Sequence, residues 1–302
     1  MAARDSYRAQ VELLIRCLPA VASASHFALK GGTAINLFLR DMPRLSVDID
    51  LTYLPLSDRE AALDDIRAQL ATIAEGVKRT VPGANVQLVE GDAPKLLVER
   101  SGARIKVEPS VVIRGSVVPP VSSELCSAAQ EAYELFVEIQ RLDSPDLYAG
   151  KLCAALDRQH PRDLFDVMHL QASGQIPDSI RQTFVAYLAG HRRPIAELLQ
   201  PNRRPIEDLF ASHFAGMTEE PVDLVELEAA RTQLFEWAAS ALTDSERRFL
   251  LSVKQGEPDW VLLPFESLDK WPAIQWKLHN IRQMGARNHK KALDRLREVL
   301  EL

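Results

Sequence analysis

The chain has 302 residues, 46% hydrophobic and 26% charged, with a formal net charge of −6. Such a composition belongs to an ordinary folded protein of about two domains and excludes a disordered or collagen-like chain. The acidic balance excludes nucleic-acid binding by overall charge, so any such role must come from local basic patches.

Three cysteines, Cys17, Cys126 and Cys153, are far apart and form no C-x-x-C pair. They predict small buried side chains in a reducing compartment rather than a disulfide framework or a zinc site. The opening M-A-A-R-D-S-Y-R has no signal-like apolar run. No stretch reaches the ~18–20 apolar residues of a membrane span. A cytoplasmic protein without membrane contact is expected.

In chain order, Val11, Leu14, Ile15, Leu18 and Val21 have helical spacing, so a helix is predicted over about 6–24. H-F-A-L-K reads as a strand ending at Gly31-Gly32. Thr33 to Arg40 is a short predicted helix, with Thr33 as its N-cap. Val47–Leu54 is a predicted strand. Ser57 to about Val77 is a helix opened by a Ser57-x-x-Glu60 capping box. Three β-rich runs follow, N-V-Q-L-V-E, K-L-L-V-E-R and R-I-K-V-E-P, the last two joined by a Ser101-Gly102 turn. Pro119-Pro120 breaks the pattern, and one more strand, E-L-F-V-E-I-Q-R-L, precedes Pro145.

From Pro145 onward helical periodicity dominates: 145–158, 162–170, 177–188, 222–242, 244–253 and most of 265–300, with Thr243-x-x-Glu246 as a second capping box. R-R-P-I-A-E-L-L (192–199) recurs as R-R-P-I-E-D-L-F (203–210), which predicts two short helices with proline near their first turns. The expected fold is a mixed-sheet α/β (α+β) head, residues 1–143, followed by a helical domain, residues 144–302.

R-L-S-V-D-I-D-L places Asp48 and Asp50 at alternate strand positions, hence on one face, with Ile49 turned to the core. Two carboxylates on one face repel unless paired or exposed. A magnesium ion resolves this, because it takes one or two carboxylates together with substrate phosphates. The Gly31-Gly32 turn before a helix is the complementary half, where backbone N–H groups can receive phosphate. Together the two halves point to phosphoryl or nucleotidyl transfer. A third carboxylate is sought to activate the attacking hydroxyl. Glu108 is the first candidate, provided that the polar set Arg104, Lys106 and Glu108 looks into the cleft, and Glu99 is the alternative.

A second constellation lies in K-L-C-A-A-L-D-R-Q-H-P-R-D-L-F-D-V. Lys151 and Arg158 share a helical face, and Asp163 and Asp166 share another beyond Pro161. Lys151 with Arg158 or Arg162 suits phosphate, and Asp163 suits orienting Lys151 or substrate. A salt-bridge network locking two helices is the competing explanation.

K-G-G-T-A-(x)-N-L-F, R-(x)-S-(x)-D-I-D-L and K-L-(x)-A-(x)3-R-(x)3-R-D-L-(x)-D together resemble the AbiEii/AbiGii toxin family of nucleotidyltransferases, which includes the MenT-type toxins. The likeness spans roughly residues 30–166, and the later half matches only in being helical. It implies a polymerase-β-like head, Mg²⁺-dependent use of an NTP, and the toxin half of a toxin–antitoxin or abortive-infection pair with a cognate antitoxin. For some relatives the acceptor is the tRNA 3′ end. By matching motifs, Gly31, Gly32 and Thr33 would form the phosphate turn, Asp48 and Asp50 would hold metal, Lys151 would bind phosphate, and Asp163 would be a further essential acid. Ser46 and Arg44 also match the motif. Either Glu108 or Asp163 would serve as base.

Near the C-terminus, Lys277, Arg282, Arg287, Lys290, Lys291, Arg295 and Arg297 accompany one acid, Asp294. An RNA-backbone contact, an acidic antitoxin and a solvated amphipathic helix all fit that run. Histidines 160 and 169 and the tryptophans are expected to be structural. Two rivals stand beside an RNA-modifying enzyme: transfer to a small molecule or a protein, and a non-catalytic binding partner of a regulatory pair.

Overall fold

The computed structural model describes residues 2–302, with side chains from Arg4 onward. The chain divides into two compact units. One runs to Leu147 and takes in Phe214–Pro221; the other comprises Tyr148–His213 and Val222–Leu302. The α/β head followed by a helical C-terminal region is the architecture found.

The first unit is a seven-stranded mixed sheet. Its strands are β1 (Phe27–Lys30), β2 (Asp48–Tyr53), β3 (Asn85–Val89), β4 (Lys95–Arg100), β5 (Ala103–Ser110), β6 (Val121–Glu124) and β7 (Glu138–Arg141). They lie in the order β3-β4-β5-β2-β1-β7-β6. β1 runs antiparallel to β2, whereas β2 with β5 and β1 with β7 are parallel. Helix α1 (Ala2–Ala22) lays its predicted stripe of Val11, Leu14, Ile15, Leu18 and Val21 into the core against α3 (Arg59–Thr80), β5 and β7. Between β4 and β5, Ser101 and Gly102 both take left-handed φ (50° and 83°), and Arg100 pairs with Ala103. That two-residue geometry matches strand twist and fixes the register of the pair.

Several sequence expectations are corrected. Helix α2 (Gly31–Ala34) begins at Gly31 and continues as a π-turn over Ile35–Leu39, so its N-cap is Lys30 and not Thr33. Asn36 Nδ2 donates to the Gly32 carbonyl at 2.9 Å, which competes with regular helical bonding there. The N-cap of α3 is Asp58 rather than Ser57; its carboxylate accepts from the Glu60 and Ala61 amides, which removes the expected capping box. Strand β6 and helix α4 (Ser127–Tyr133) lie where no element was expected, and the last strand is only the 138–141 part of its predicted run. Residues 214–221 belong to the sheet unit: Leu45 N donates to Met217 O at 2.8 Å, and Arg44 bridges Thr218.

In the second unit α5 (Ser144–Arg158, within which the division falls), α6 (Pro161–Ala172), α7 (Asp178–Gly190), α8 (Ile195–Leu199), α9 (Glu207–His213), α10 (Leu224–Ser240), α11 (Asp244–Gln255), α12 (Pro272–Arg282) and α13 (Ala286–Leu300) succeed one another. Helix α6 packs on α10, and α7 packs on α11 and α12. The arginine-proline echo forms the short helices α8 and α9, as expected. The Thr243–Glu246 capping box is present. Cys17 and Cys153 are buried, Cys126 is partly so, and burial pushes the Cys17 thiol up to about 12.

Candidate active site

The sheet aligns the first constellation. Asp50 stands opposite Lys30 of β1 on one side and Glu108 of β5 on the other, while Asp48 stands opposite Lys106. Residues in register point to the same side of a sheet. Glu108 therefore shares the face of Asp50, and Lys95 Nζ meets Glu108 Oε1 at 3.2 Å. The result is a row across four strands, Lys95–Glu108–Asp50–Lys30, with two acids flanked by two cations. Ile49, Ile105 and Val107 occupy the opposite, buried face. Glu99 instead forms a two-bond pair with Arg104, at 2.7 and 3.2 Å, and takes no part in the row.

Gly31 follows β1 directly, with φ +71°, and a Cβ there would collide with the Asp50 carboxylate. Only glycine brings backbone and acid so close. At Gly32 a Cβ would meet the Arg44 guanidinium at 2.6 Å and the Ser46 hydroxyl at 3.0 Å. Both of those side chains are buried, so the R-x-S segment is the surface against which the glycine turn packs. Thr33 is buried too; its hydroxyl donates to the Asp48 carbonyl at 2.5 Å and lies 3.0 Å from Ser46 Oγ. It ties the glycine turn to the first aspartate from within. Gly31→Ala is expected to cost more than about 1 kcal/mol of stability, read as a fall in the urea midpoint, because alanine is strained at this φ and clashes with Asp50.

Among the described residues no three His, Cys, Asp or Glu side chains converge as a ready-made metal site. Glu108 is turned to Lys95. The donor set nevertheless fits magnesium, which asks for one or two carboxylates and leaves other positions to water and phosphate. Asp48 and Asp50 supply that pair, beside a glycine turn shaped around one of them.

The second constellation forms within the helical unit. Lys151 Nζ lies 3.0 Å from Asp163 Oδ1 and 2.9 Å from Asp166 Oδ2. Lys151 is only 6% exposed and the two aspartates 1% each. Arg158 closes Asp163 from outside, with Nε to Oδ2 at 2.5 Å and Nη2 to Oδ1 at 3.0 Å, yet its side chain is 59% exposed. Burial alone would raise the Asp163 pKa; Lys151 and then Arg158 outweigh it and hold the carboxyl well below the usual carboxylate range. Arg162 sits partly exposed in the first turn of α6, where the His160 ring accepts from its backbone N–H at 3.2 Å. Burial, followed by Arg162, pushes His160 down to about 4. His169 packs on Phe165, so both histidines are structural, as expected.

Sequence inspection missed Lys95, whose place follows from counting back across the Ser101-Gly102 turn. It also missed Gln159, a buried residue of left-handed φ (51°) whose side chain joins the α5–α6 turn to Asn202 and Arg204.

The sequence pattern of the family described as "Nucleotidyl transferase AbiEii toxin, Type IV TA system" matches residues 12–280. Among solved structures, MenT4, a nucleotidyltransferase toxin from Mycobacterium tuberculosis H37Rv, superposes with a TM-score of 0.59 at 20% identity, covering 96% of this chain and 92% of that one. At that identity the likeness speaks for the fold. Terminal uridylyl transferase 4 from Trypanosoma brucei with bound dUTP is similar at a TM-score of 0.27 and 14% identity, over 96% of this chain and 93% of that one, too remote to carry an argument. No curated protein matches the chain.

Proposed function

The chain belongs to the AbiEii family of nucleotidyl transferase toxins, and from this premise we propose that it transfers a nucleoside monophosphate from an NTP to a nucleic-acid hydroxyl, with the tRNA 3′ end as the favoured acceptor. One observation carries the site assignment: Asp48 and Asp50 share a sheet face with Glu108, beside a glycine turn that admits no side chain against Asp50.

Asp48 and Asp50 would hold Mg²⁺, which when bound neutralises charge on the triphosphate and polarises its phosphorus–oxygen bonds. Backbone N–H groups at Gly31 and Gly32 receive phosphate oxygens, with Thr33 and Ser46 keeping that turn in place. Glu108 accepts the proton of the acceptor hydroxyl. The acceptor oxygen so freed forms a bond to the α-phosphorus, the bond from that phosphorus to the oxygen bridging the β-phosphate breaks, and pyrophosphate departs. Asp163 is less suited as base: it is buried and both of its oxygens are engaged by Lys151 and Arg158, whereas Glu108 is partly exposed and meets Lys95 through Oε1. Lys151, Arg158 and Arg162 are assigned to phosphate; of these Arg158 presents the most accessible charge.

No helix among the described residues is long and apolar enough to cross a membrane. A cytoplasmic place and a cognate antitoxin complete the proposal. Its test is mass analysis of total RNA after incubation with each of the four NTPs and Mg²⁺. A mass increment of one or a few nucleotides on tRNA is the expected result. Label from NTP appearing only on protein or on a small molecule would overturn the nucleic-acid acceptor.

A further inference from the structure

The strongest unassigned feature lies at the end of the helical unit. Between Asp269 and Asp294 the chain has no acid. Helix α12 buries Ile274, Leu278 and Ile281 and turns Trp276 outward, 54% exposed. For Trp276 this corrects the expectation that the tryptophans are core or helix-packing residues. Trp276 lies off the buried stripe, so helical geometry carries it to the solvent side. Its ring stacks on His279 with an interplanar angle of 13° and centroids 5.4 Å apart.

Arg282 closes α12, and after a three-residue turn α13 presents Arg287, Lys290 and Lys291 at i, i+3 and i+4, hence on one face. All four cations are exposed, and among the described residues none has a carboxylate within ion-pairing distance. Farther along, Glu298 pairs with Arg295, and the exposed Arg297 adds one more cation without an ion pair among the described residues, so three of the four unpaired cations of α13 lie in its first two turns. Lys277, counted in the basic run from sequence, is withdrawn from this surface: it is largely buried and donates to the carbonyls of His191 and Arg193, each at 2.7 Å. It anchors α12, along which Trp276, His279 and Arg282 follow one another at three-residue spacing. Leu296 and Leu300 bury the opposite side of α13.

A flat, exposed aromatic pair followed by unpaired cations has the makeup of a single-strand platform, where bases stack and phosphates meet charge. An acidic protein would satisfy the charge but has no use for a stacking pair. We infer that Trp276, His279, Arg282, Arg287, Lys290 and Lys291 form a docking surface for single-stranded RNA, an inference that rests on the nucleic-acid acceptor proposed above.

Binding of an unstructured twelve-nucleotide RNA to the full chain, without NTP and across a range of KCl, tests this. The RNA is expected to quench tryptophan fluorescence. Trp276→Ala should remove that quench and weaken binding about tenfold, the scale of one lost stack. R287Q/K290Q/K291Q should lower the slope of log affinity against log salt by about 2, three phosphates at roughly 0.7 each. Circular dichroism checks that each variant is folded. Wild-type affinity and slope in both folded variants overturn the surface, as does equal binding of the same sequence as a duplex. Tighter binding of a glutamate-rich peptide than of RNA overturns it in favour of a protein partner. The two inferences separate cleanly: RNA binding that maps to Trp276 without any transfer removes the enzymatic function alone, and transfer to RNA with unaltered binding in both variants removes the platform alone.

Discussion

Asp50→Asn is expected to reduce nucleotidyl transfer by about a thousandfold or more and to leave the protein folded. The magnitude follows from the several kcal/mol that a bound cation contributes to charge stabilisation in phosphoryl chemistry, each 1.36 kcal/mol being tenfold in rate. Preservation of the fold follows from position. Asp50 is partly exposed, and asparagine keeps its shape beside Gly31 while removing one of three negative charges from the Asp48, Asp50 and Glu108 group. Without magnesium the variant should melt close to the wild type, since the change relieves repulsion from Glu108 and gives up attraction to Lys30, both in register with Asp50. With magnesium and a non-hydrolysable NTP analogue, the wild type should gain melting temperature through binding to the folded state, and the variant should gain little. Transfer at the wild-type rate by a pure, folded Asp50→Asn protein would remove the metal assignment and with it the chemistry proposed for the sheet face. An equal magnesium-dependent rise in both proteins would do the same.

That pair was legible because its signal is local. A strand alternates faces every residue, so D-I-D announces two acids outward and one apolar side chain inward without knowledge of any neighbour. The Lys95–Glu108 contact was legible in principle, because a two-residue turn at Ser101-Gly102 fixes the whole register of β4 on β5. The adjacency of Glu108 to Asp50 was not, because β2 and β5 are parallel and their pairing spans α3 and a complete hairpin. Only the assembled sheet decides that contact, which is why Glu99 remained an alternative. The π-turn over Ile35–Leu39 was hidden for another reason: its residues have ordinary helical propensity, and the shift comes with a side-chain bond from Asn36 to the Gly32 carbonyl. The outward place of Trp276 is readable from the spacing of Ile274, Leu278 and Ile281, whereas residue type alone points to a core or helix-packing role.

Lys151→Met is expected to lower the stability of the protein by about 3–5 kcal/mol, the scale found when one partner of a buried ion pair is removed. One ammonium serves two carboxylates that are each only 1% exposed. Methionine fills a similar volume, so the loss is electrostatic rather than a cavity. Asp163 retains Arg158, but Asp166 loses its contact with Nζ where water cannot replace it. Arg158→Gln should cost much less, near 1 kcal/mol, because that guanidinium is mostly solvated and screened. Urea unfolding followed by circular dichroism measures both. Against a total stability on the order of 5–15 kcal/mol, the lysine change is large enough to bring the urea midpoint down visibly. Transfer activity per folded molecule then separates the two roles open to this cluster. If Lys151→Met keeps the wild-type midpoint and loses transfer, the lysine serves phosphate and the buried triad is not a lock between α5 and α6. If the midpoint falls while the folded fraction transfers at the wild-type rate, the assignment of Lys151 to phosphate is wrong, and the buried triad is a lock between α5 and α6.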